Sequence, residues 1–172
     1  MKVIITGPEC TGKTTLANRL AVHYHVPYVK EYAREFLNKT RGKYDEKDLL
    51  TIAHGQLAAE KALAERSVEP IICDTGLEVL RIWSEWKFGH CDPFISQQAK
   101  QQHPDLYLLL APDIDWEADP LRENPNDRDD LFHYYTKILL EYQVPVHEIN
   151  GPEKERFKQA VTVIDAKMKF TE

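Results

Sequence analysis

The chain has 172 residues, with 22 Lys and Arg against 28 Asp and Glu, a formal charge of −6, and 42% hydrophobic residues, which describes one globular domain able to fold without a disulfide or metal staple. The acidic balance argues against a partner held mainly through phosphate-backbone charge, so no nucleic acid is expected, while a small anionic ligand remains compatible. No run approaches eighteen apolar residues and the start MKVIITG is too short an apolar run for a signal peptide, so neither membrane nor secretion is expected.

Short β-branched runs alternate with longer segments of helical period, the pattern of an α/β domain on a parallel sheet. The first strand is expected over Lys2 to Thr6 and runs into Gly7-Pro8-Glu9-Cys10-Thr11-Gly12-Lys13-Thr14, which matches G-x-x-x-x-G-K-[ST] at every fixed position. A helix over Lys13 to Tyr24, with Leu16, Ala17, Leu20, Ala21 and Tyr24 on one face, completes the strand, loop and helix that the motif requires. Its physics assigns the roles. The loop backbone from Gly7 through Thr15 wraps the phosphates of a nucleotide such as ATP, Lys13 neutralises the β and γ oxygens, and Thr14 offers its hydroxyl to Mg²⁺. A plain glycine turn has no use for Lys and Thr at those offsets.

A second strand at Pro27 to Val29 leads into Glu31-Tyr32-Ala33-Arg34-Glu35-Phe36, placing Glu31 at a strand end and Arg34 one helical turn later. Glu31 is then a base or a ribose-hydroxyl ligand, with Tyr32 beside it and Arg34 a phosphate or substrate contact; alternatively these are surface charges of a short helix. Residues 45–67 are rich in Ala, Leu and charge, with Gly55 the one helix breaker, and predict one long helix. The third strand, Pro70 to Cys73, ends at Asp74, the place of a carboxylate that holds Mg²⁺ or takes a proton from an acceptor hydroxyl, or of a cap for the helix starting near Gly76. Aromatics gather on and after that helix as Trp83, Trp86, Phe88 and Phe94. Most should pack in the core, and one or two of Trp83, Trp86 and Phe94 are candidates to stack on a flat base.

The fourth strand, Leu106 to Leu110, is followed by residues 111–130, with three prolines, eight acids and only two arginines, Arg122 and Arg128. This stretch is a solvated acidic loop or, given its place after a strand at the ligand-binding edge of the sheet, a lid whose arginines reach the phosphates. Leu131, Tyr135, Ile138, Leu139 and Tyr142 predict a helix, Val144 to Ile149 a fifth strand, and Phe157, Ala160, Val161, Ile164 and Met168 a last helix. The seven histidines form no HxxH pair, and Cys10, Cys73 and Cys91 no paired spacing, so no transition-metal site is expected and the thiols read as reduced, in the cytoplasm.

With GPECTGKTTL at 7–16, EYAREF at 31–36, IICDT at 71–75 and LYLLLAPDIDWEADPLR at 106–122, the chain resembles, nearly end to end, the ribosylnicotinamide kinase domains of the NadR-like P-loop family. The resemblance implies a three-layer P-loop nucleoside triphosphate hydrolase fold of the nucleoside- and nucleotide-kinase type, built on a five-stranded parallel sheet. It also implies phosphorylation of the 5′-hydroxyl of nicotinamide riboside by ATP, a step of NAD salvage, with Lys13 and Thr14 at the ATP and Mg²⁺ contacts. Asp74 falls at the family's strand-end acid, Glu31 and Arg34 in its EYxRE element, and Arg122 at the arginine of its lid-like tract. Where the family often continues Asp-Thr-Asp, position 76 is glycine. Larger members carry an adenylyltransferase domain, which is not expected within these 172 residues. The phosphate loop would equally serve a slow regulatory switch, a module that binds without turnover, or a kinase for another small nucleoside; acceptor-stimulated ATP turnover separates them. Oligomeric state is left open.

Overall fold

The computed structural model describes residues 1–169. Twelve elements succeed one another along the chain: β1 Lys2–Thr6, α1 Lys13–Tyr24, β2 Tyr28–Val29, α2 Tyr32–Thr40, α3 Glu46–Ala64, β3 Ile71–Asp74, α4 Leu77–Phe88, α5 Pro93–Gln101, β4 Leu106–Leu110, α6 Arg128–Glu141, β5 Val146–Ile149 and α7 Glu153–Lys169. The strands form one parallel sheet in the order β2-β3-β1-β4-β5. Alternate strand residues serve opposite faces. Ile4, Cys73, Tyr107 and Leu109 pack with α3, α4 and α6, whereas Val3, Ile5, Ile72 and Leu108 pack with Leu16 and Leu20 of α1 and Ala160 and Ile164 of α7. The result is the expected three-layer P-loop fold. The acid-bearing β3 lies beside β1, and β4 flanks β1 on its other side. The carboxyl ends of β1, β2, β3 and β4 therefore open on one crevice, where such sheets bind ligands.

Several boundaries differ from expectation for identifiable reasons. β5 starts at Val146, not Val144, because Gln143 is left-handed (φ 56°) and Pro145 has no N–H for the ladder. It is also an edge strand with His147 and Glu148 exposed, rather than apolar on both faces. α3 starts from a reciprocal capping box between Asp45 and Asp48 and stops at Ala64, with Ser67 left-handed (φ 51°) beyond it. Hydrophobic periodicity predicts no helix at α5, which buries only Ile95 and Ala99 but starts from a cap by Asp92 and a proline in its first turn. The 111–130 segment ends earlier than expected, since Arg128 is already the first residue of α6. Among the described residues, no helix is long and apolar enough to cross a membrane.

Candidate active site

The phosphate loop is shaped by its backbone. Gly7 has φ 134°, and a Cβ there would lie 2.7 Å from the Leu110 carbonyl oxygen. Gly12 (φ 81°) is the N-cap of α1, and neither a capping side chain nor a first-turn acid occupies that helix end, so its N–H groups are directed at the loop. Lys13 Nζ donates to the Gly7 and Pro8 carbonyls at 2.9 and 2.7 Å, and the buried Thr11 hydroxyl donates to the Pro8 carbonyl at 2.9 Å. Except for Pro8, every loop residue from Gly7 to Thr15 lines one cavity of about 1050 Å³.

That cavity joins the loop to the ends of β2 and β3. Glu31, Arg34 and Asp74 line it together, as do Tyr32, Trp83 and Trp86. Asp74 is 2% exposed, and its Oδ1 has no hydrogen-bond partner. Desolvation raises its pKa, against a hydrogen bond from the Thr14 hydroxyl and the charges of Lys13 and Arg34. Glu31 is pushed up to about 7, first by desolvation; Lys13 and Arg34 oppose the shift, and Asp74 and Glu9 add to it. Two carboxyls with elevated proton affinity thus face a lysine and a threonine of the phosphate loop.

Asp74 does not cap α4. The Leu77 N–H donates to Gln102 Oε1 at 3.0 Å and the Gly76 N–H to Glu78 Oε1 at 3.2 Å. The same residues explain the glycine at position 76, because a Cβ there would meet Glu78 Oε2, Ile4 Cδ1 and Gln102 Oε1. Gln102 supplies the cap from another part of the chain, and Asp74 is left with an unpartnered oxygen directed to no helix end. A buried orphan carboxylate oxygen beside a Thr hydroxyl is the oxygen donor set that suits Mg²⁺, so Thr14 and Asp74 fit the ion expected with ATP.

The acidic stretch lies over the phosphate loop and is fastened to it at several points. Glu9 accepts from the Glu123 and Asn124 N–H groups at 3.0 and 2.9 Å. Cys10 Sγ accepts from the Glu117 N–H and from Arg122 Nη1, each at 3.2 Å. Arg122 also bonds the Glu117 carbonyl, and Arg34 pairs with Asp119 at 2.5 Å. Arg128 does not line the cavity; it donates to the Cys10 and Ile114 carbonyls at 3.3 and 2.9 Å, bridging loop to loop. Phe94 is also away from the cavity, 4.6 Å from the His54 ring between centroids. It faces α3 rather than the cleft because α5 turns back on that side.

Sequence reasoning missed two sets of residues. Arg156, 4% exposed, bonds the Thr11 carbonyl at 3.2 Å, the Ala111 carbonyl at 2.9 Å and the Asp113 carboxylate, joining α7 to both loops. Its only local signal is a charge in the first turns of an otherwise amphipathic helix. Tyr44 lies in the cavity wall, its ring 4.7 Å from that of Trp83; its hydroxyl accepts from Trp83 Nε1 at 2.9 Å and donates to Glu123 at 2.8 Å. Tyr44 stands in a short loop with no motif to mark it.

A parallel sheet in this order, with a phosphate loop after β1 and an acid ending the adjacent strand, defines a P-loop nucleotide-binding protein of the kinase-like type. The chain belongs to the AAA domain family, whose model matches residues 2–156. It is 26% identical, over 96% of its length, to the trifunctional NAD biosynthesis/regulator protein NadR of Salmonella typhimurium, and spans 42% of that relative. Two solved NadR structures share the fold: one in complex with nicotinamide riboside (TM-score 0.81, 20% identity) and one with NAD and AMP-PNP (TM-score 0.73, 21% identity). Each is matched over 96% of this chain and about half of theirs. Deoxyadenosine kinase from M. mycoides with bound dCTP is matched over 96% of this chain and all of its own, with a TM-score of 0.60 and 14% identity. The NadR resemblance read from the four sequence stretches therefore holds.

Proposed function

We propose that this domain transfers the γ-phosphoryl group of ATP to the 5′-hydroxyl of nicotinamide riboside, giving nicotinamide mononucleotide and ADP. The observation that carries the reading is Asp74: a buried carboxylate with a free oxygen, released from helix capping by Gln102, in the same cavity as Lys13, Thr14 and Glu31. A switch that only binds nucleotide has no need of a second carboxylate and an aromatic wall beyond the phosphates. The similarity to NadR supports nicotinamide riboside as the acceptor, and the deoxyadenosine kinase fold supports transfer to a nucleoside hydroxyl.

In this reading residues 7–15 hold the triphosphate, and Lys13 leaves the Gly7 and Pro8 carbonyls to pair with its oxygens. Thr14 and Asp74 would hold Mg²⁺, which when bound neutralises charge on the phosphates. The riboside enters between Glu31 and the Trp83 and Trp86 wall. Glu31 takes the 5′-hydroxyl proton as the new O–P bond forms and the bond from the γ-phosphorus to the bridging oxygen breaks, leaving ADP. Asp74 is committed to Thr14 and the phosphate side, so Glu31 is the carboxylate left for the acceptor. Its raised proton affinity suits a base working near neutrality. The acidic stretch covers the phosphates and excludes water, with Arg122 reaching the loop at Cys10 from inside the cavity. Catalysis is mostly positioning and charge stabilisation.

Incubating the pure protein with Mg·ATP and a panel of ribosides, with products identified by mass, tests the reading. Nicotinamide mononucleotide should dominate. ATP hydrolysis that no riboside stimulates would reject the kinase, and preference for a neutral nucleoside would reject the acceptor alone.

A further inference from the structure

The β2–β3 ladder ends where the two acids begin. Tyr28 pairs with Ile72 and Val29 with Cys73; past that pair the sheet no longer ties the backbone carrying Glu31 to the backbone carrying Asp74. One side chain spans the gap. Gln56, in the middle of α3 and 3% exposed, accepts from the Tyr32 N–H through Oε1 at 3.0 Å and donates from Nε2 to the Thr75 carbonyl at 3.3 Å. The Tyr32 N–H belongs to the peptide group that directly follows Glu31, and the Thr75 carbonyl to the residue next after Asp74. The same amide nitrogen lies 3.4 Å from Glu60 Oε1, and Glu60 is itself held by Lys2 and Gln102, so the amide is anchored at its far side as well.

Three local features fit the bridge. Glu31 is the N-cap of α2 but makes no side-chain cap bond, so Gln56 satisfies the Tyr32 N–H and leaves the Glu31 carboxylate to the cleft. Thr75 is left-handed (φ 70°), and the residue is held on both sides, its N–H donating to the Ile5 carbonyl at 3.0 Å and its carbonyl accepting from Gln56. Finally, the residue before Gln56 is Gly55, where a Cβ would run into the Tyr32 ring. The helix is cut back at the one turn against which residues 31–32 lie.

We propose that Gln56 is a positioning residue for phosphoryl transfer, which sets the separation of Glu31 and Asp74 by bonding the backbone of the residue that follows each, with Gly55 giving the close approach this needs. The inference rests on the kinase reading above. Its chemistry follows from the amide, the one uncharged side-chain group that accepts on one atom and donates twice on another. Glutamate at 56 would keep the bond to Tyr32, lose the donor to Thr75 and set a carboxylate against Glu60. Leucine would lose every bond.

Gln56→Leu, Gln56→Glu and Gly55→Ala are compared with the wild-type chain by steady-state kinetics on nicotinamide riboside and Mg·ATP, normalised to folded protein by circular dichroism. Amide hydrogen exchange of Tyr32 is followed by NMR without ligand. Gln56→Leu should lower kcat about tenfold or more, since a displacement near 1 Å can cost about 10²-fold. The KM for ATP should stay within about twofold, because Gln56 touches nothing in residues 7–15 and the loss is one of transition-state geometry. Tyr32 exchange should accelerate at least about tenfold in Gln56→Leu and stay protected in Gln56→Glu, whose kcat should fall between the two. Gly55→Ala, which pushes on the same turn with Gln56 intact, should reproduce the loss of kcat and serves if Gln56→Leu does not fold. A merely structural glutamine would lower the melting temperature while kcat per folded molecule and Tyr32 exchange stayed at wild type, and that result overturns the proposal. A wild-type protein with no acceptor-dependent turnover would instead overturn the kinase reading, and the positioning role with it.

Discussion

Single residues divide into those whose role is written in a local pattern and those defined only by distant partners. Lys13 belongs to the first group, and because its ammonium bonds only loop carbonyls, Lys13→Ala should leave the melting temperature nearly unchanged while removing most ATP-dependent turnover. A loss of about 10²–10³-fold is the usual scale for one such charge contact. A folded variant with near-normal turnover would mean that the loop is not a phosphate site. Asp74→Asn should weaken the Mg²⁺ site that Asp74 would form with Thr14 and lower kcat by roughly 10²-fold or more, with little change in riboside KM. Glu78 belongs to the second group: fully buried on α4, with Oε2 unpartnered, it is pushed by desolvation from an ordinary 4.5 up to about 7. The folded state then holds a proton that the unfolded chain has already released between those values, so stability falls as pH rises through the window, by at most about 3 kcal/mol per group. Glu31 adds to the same slope. Glu78→Gln should therefore raise the melting temperature at pH 8 more than at pH 5 and roughly halve the decline; an unchanged slope would show that Glu78 titrates normally. Nothing near position 78 in sequence announces this, since the groups around it include Thr6 and Lys2 of β1, Glu60 of α3 and Tyr107 of β4.

Among the elements, β1, α1, β3 and β4 were legible because a buried parallel strand needs a continuous apolar run and the phosphate-loop motif dictates a helix directly after it. β5 and α5 were not, being shaped by an edge position and by a cap rather than by periodicity. The stretch between β4 and α6 was legible as non-core from its prolines and acids, yet its fastening to Glu9, Cys10 and Arg156 joins residues more than forty apart and carries no local signal. Its two arginines should behave differently. Arg122, which reaches Cys10 Sγ over the loop, should lower kcat when changed to alanine. Arg128 joins the Cys10 and Ile114 carbonyls from outside the cavity, so Arg128→Ala should chiefly raise the KM for ATP. Arginines that reach a transferring phosphate are worth about 10³–10⁵ elsewhere, so even a weaker contact should be measurable in kcat. Wild-type kinetics in both variants and in the double variant would leave the stretch as solvated surface.

For the molecule as a whole, the fold follows from alternating short apolar strands and amphipathic helices, whereas the proposed acceptor would meet a wall assembled from α2, α4 and two loops that no single stretch encodes. Trp83, Trp86 and Tyr44 stand in that wall with Glu31, so a positively charged pyridinium ring should be preferred over neutral bases by cation–π contact of about 0.5–2 kcal/mol. That is roughly a two- to thirtyfold advantage, and shape must supply any more. Competition between nicotinamide riboside, adenosine, uridine and thymidine in one reaction reads the ratio directly. The same architecture bears on the speed of nucleotide capture. Glu9, Cys10, Arg34, Arg128 and Arg156 hold the acidic stretch against the phosphate loop while Lys13 rests on its own loop, so capture of a triphosphate beneath the stretch should require these latching contacts to let go first. In stopped-flow mixing, the observed binding rate should level off at high nucleotide concentration at the unlatching rate, and Glu9→Gln, which weakens two of the latches, should raise that plateau.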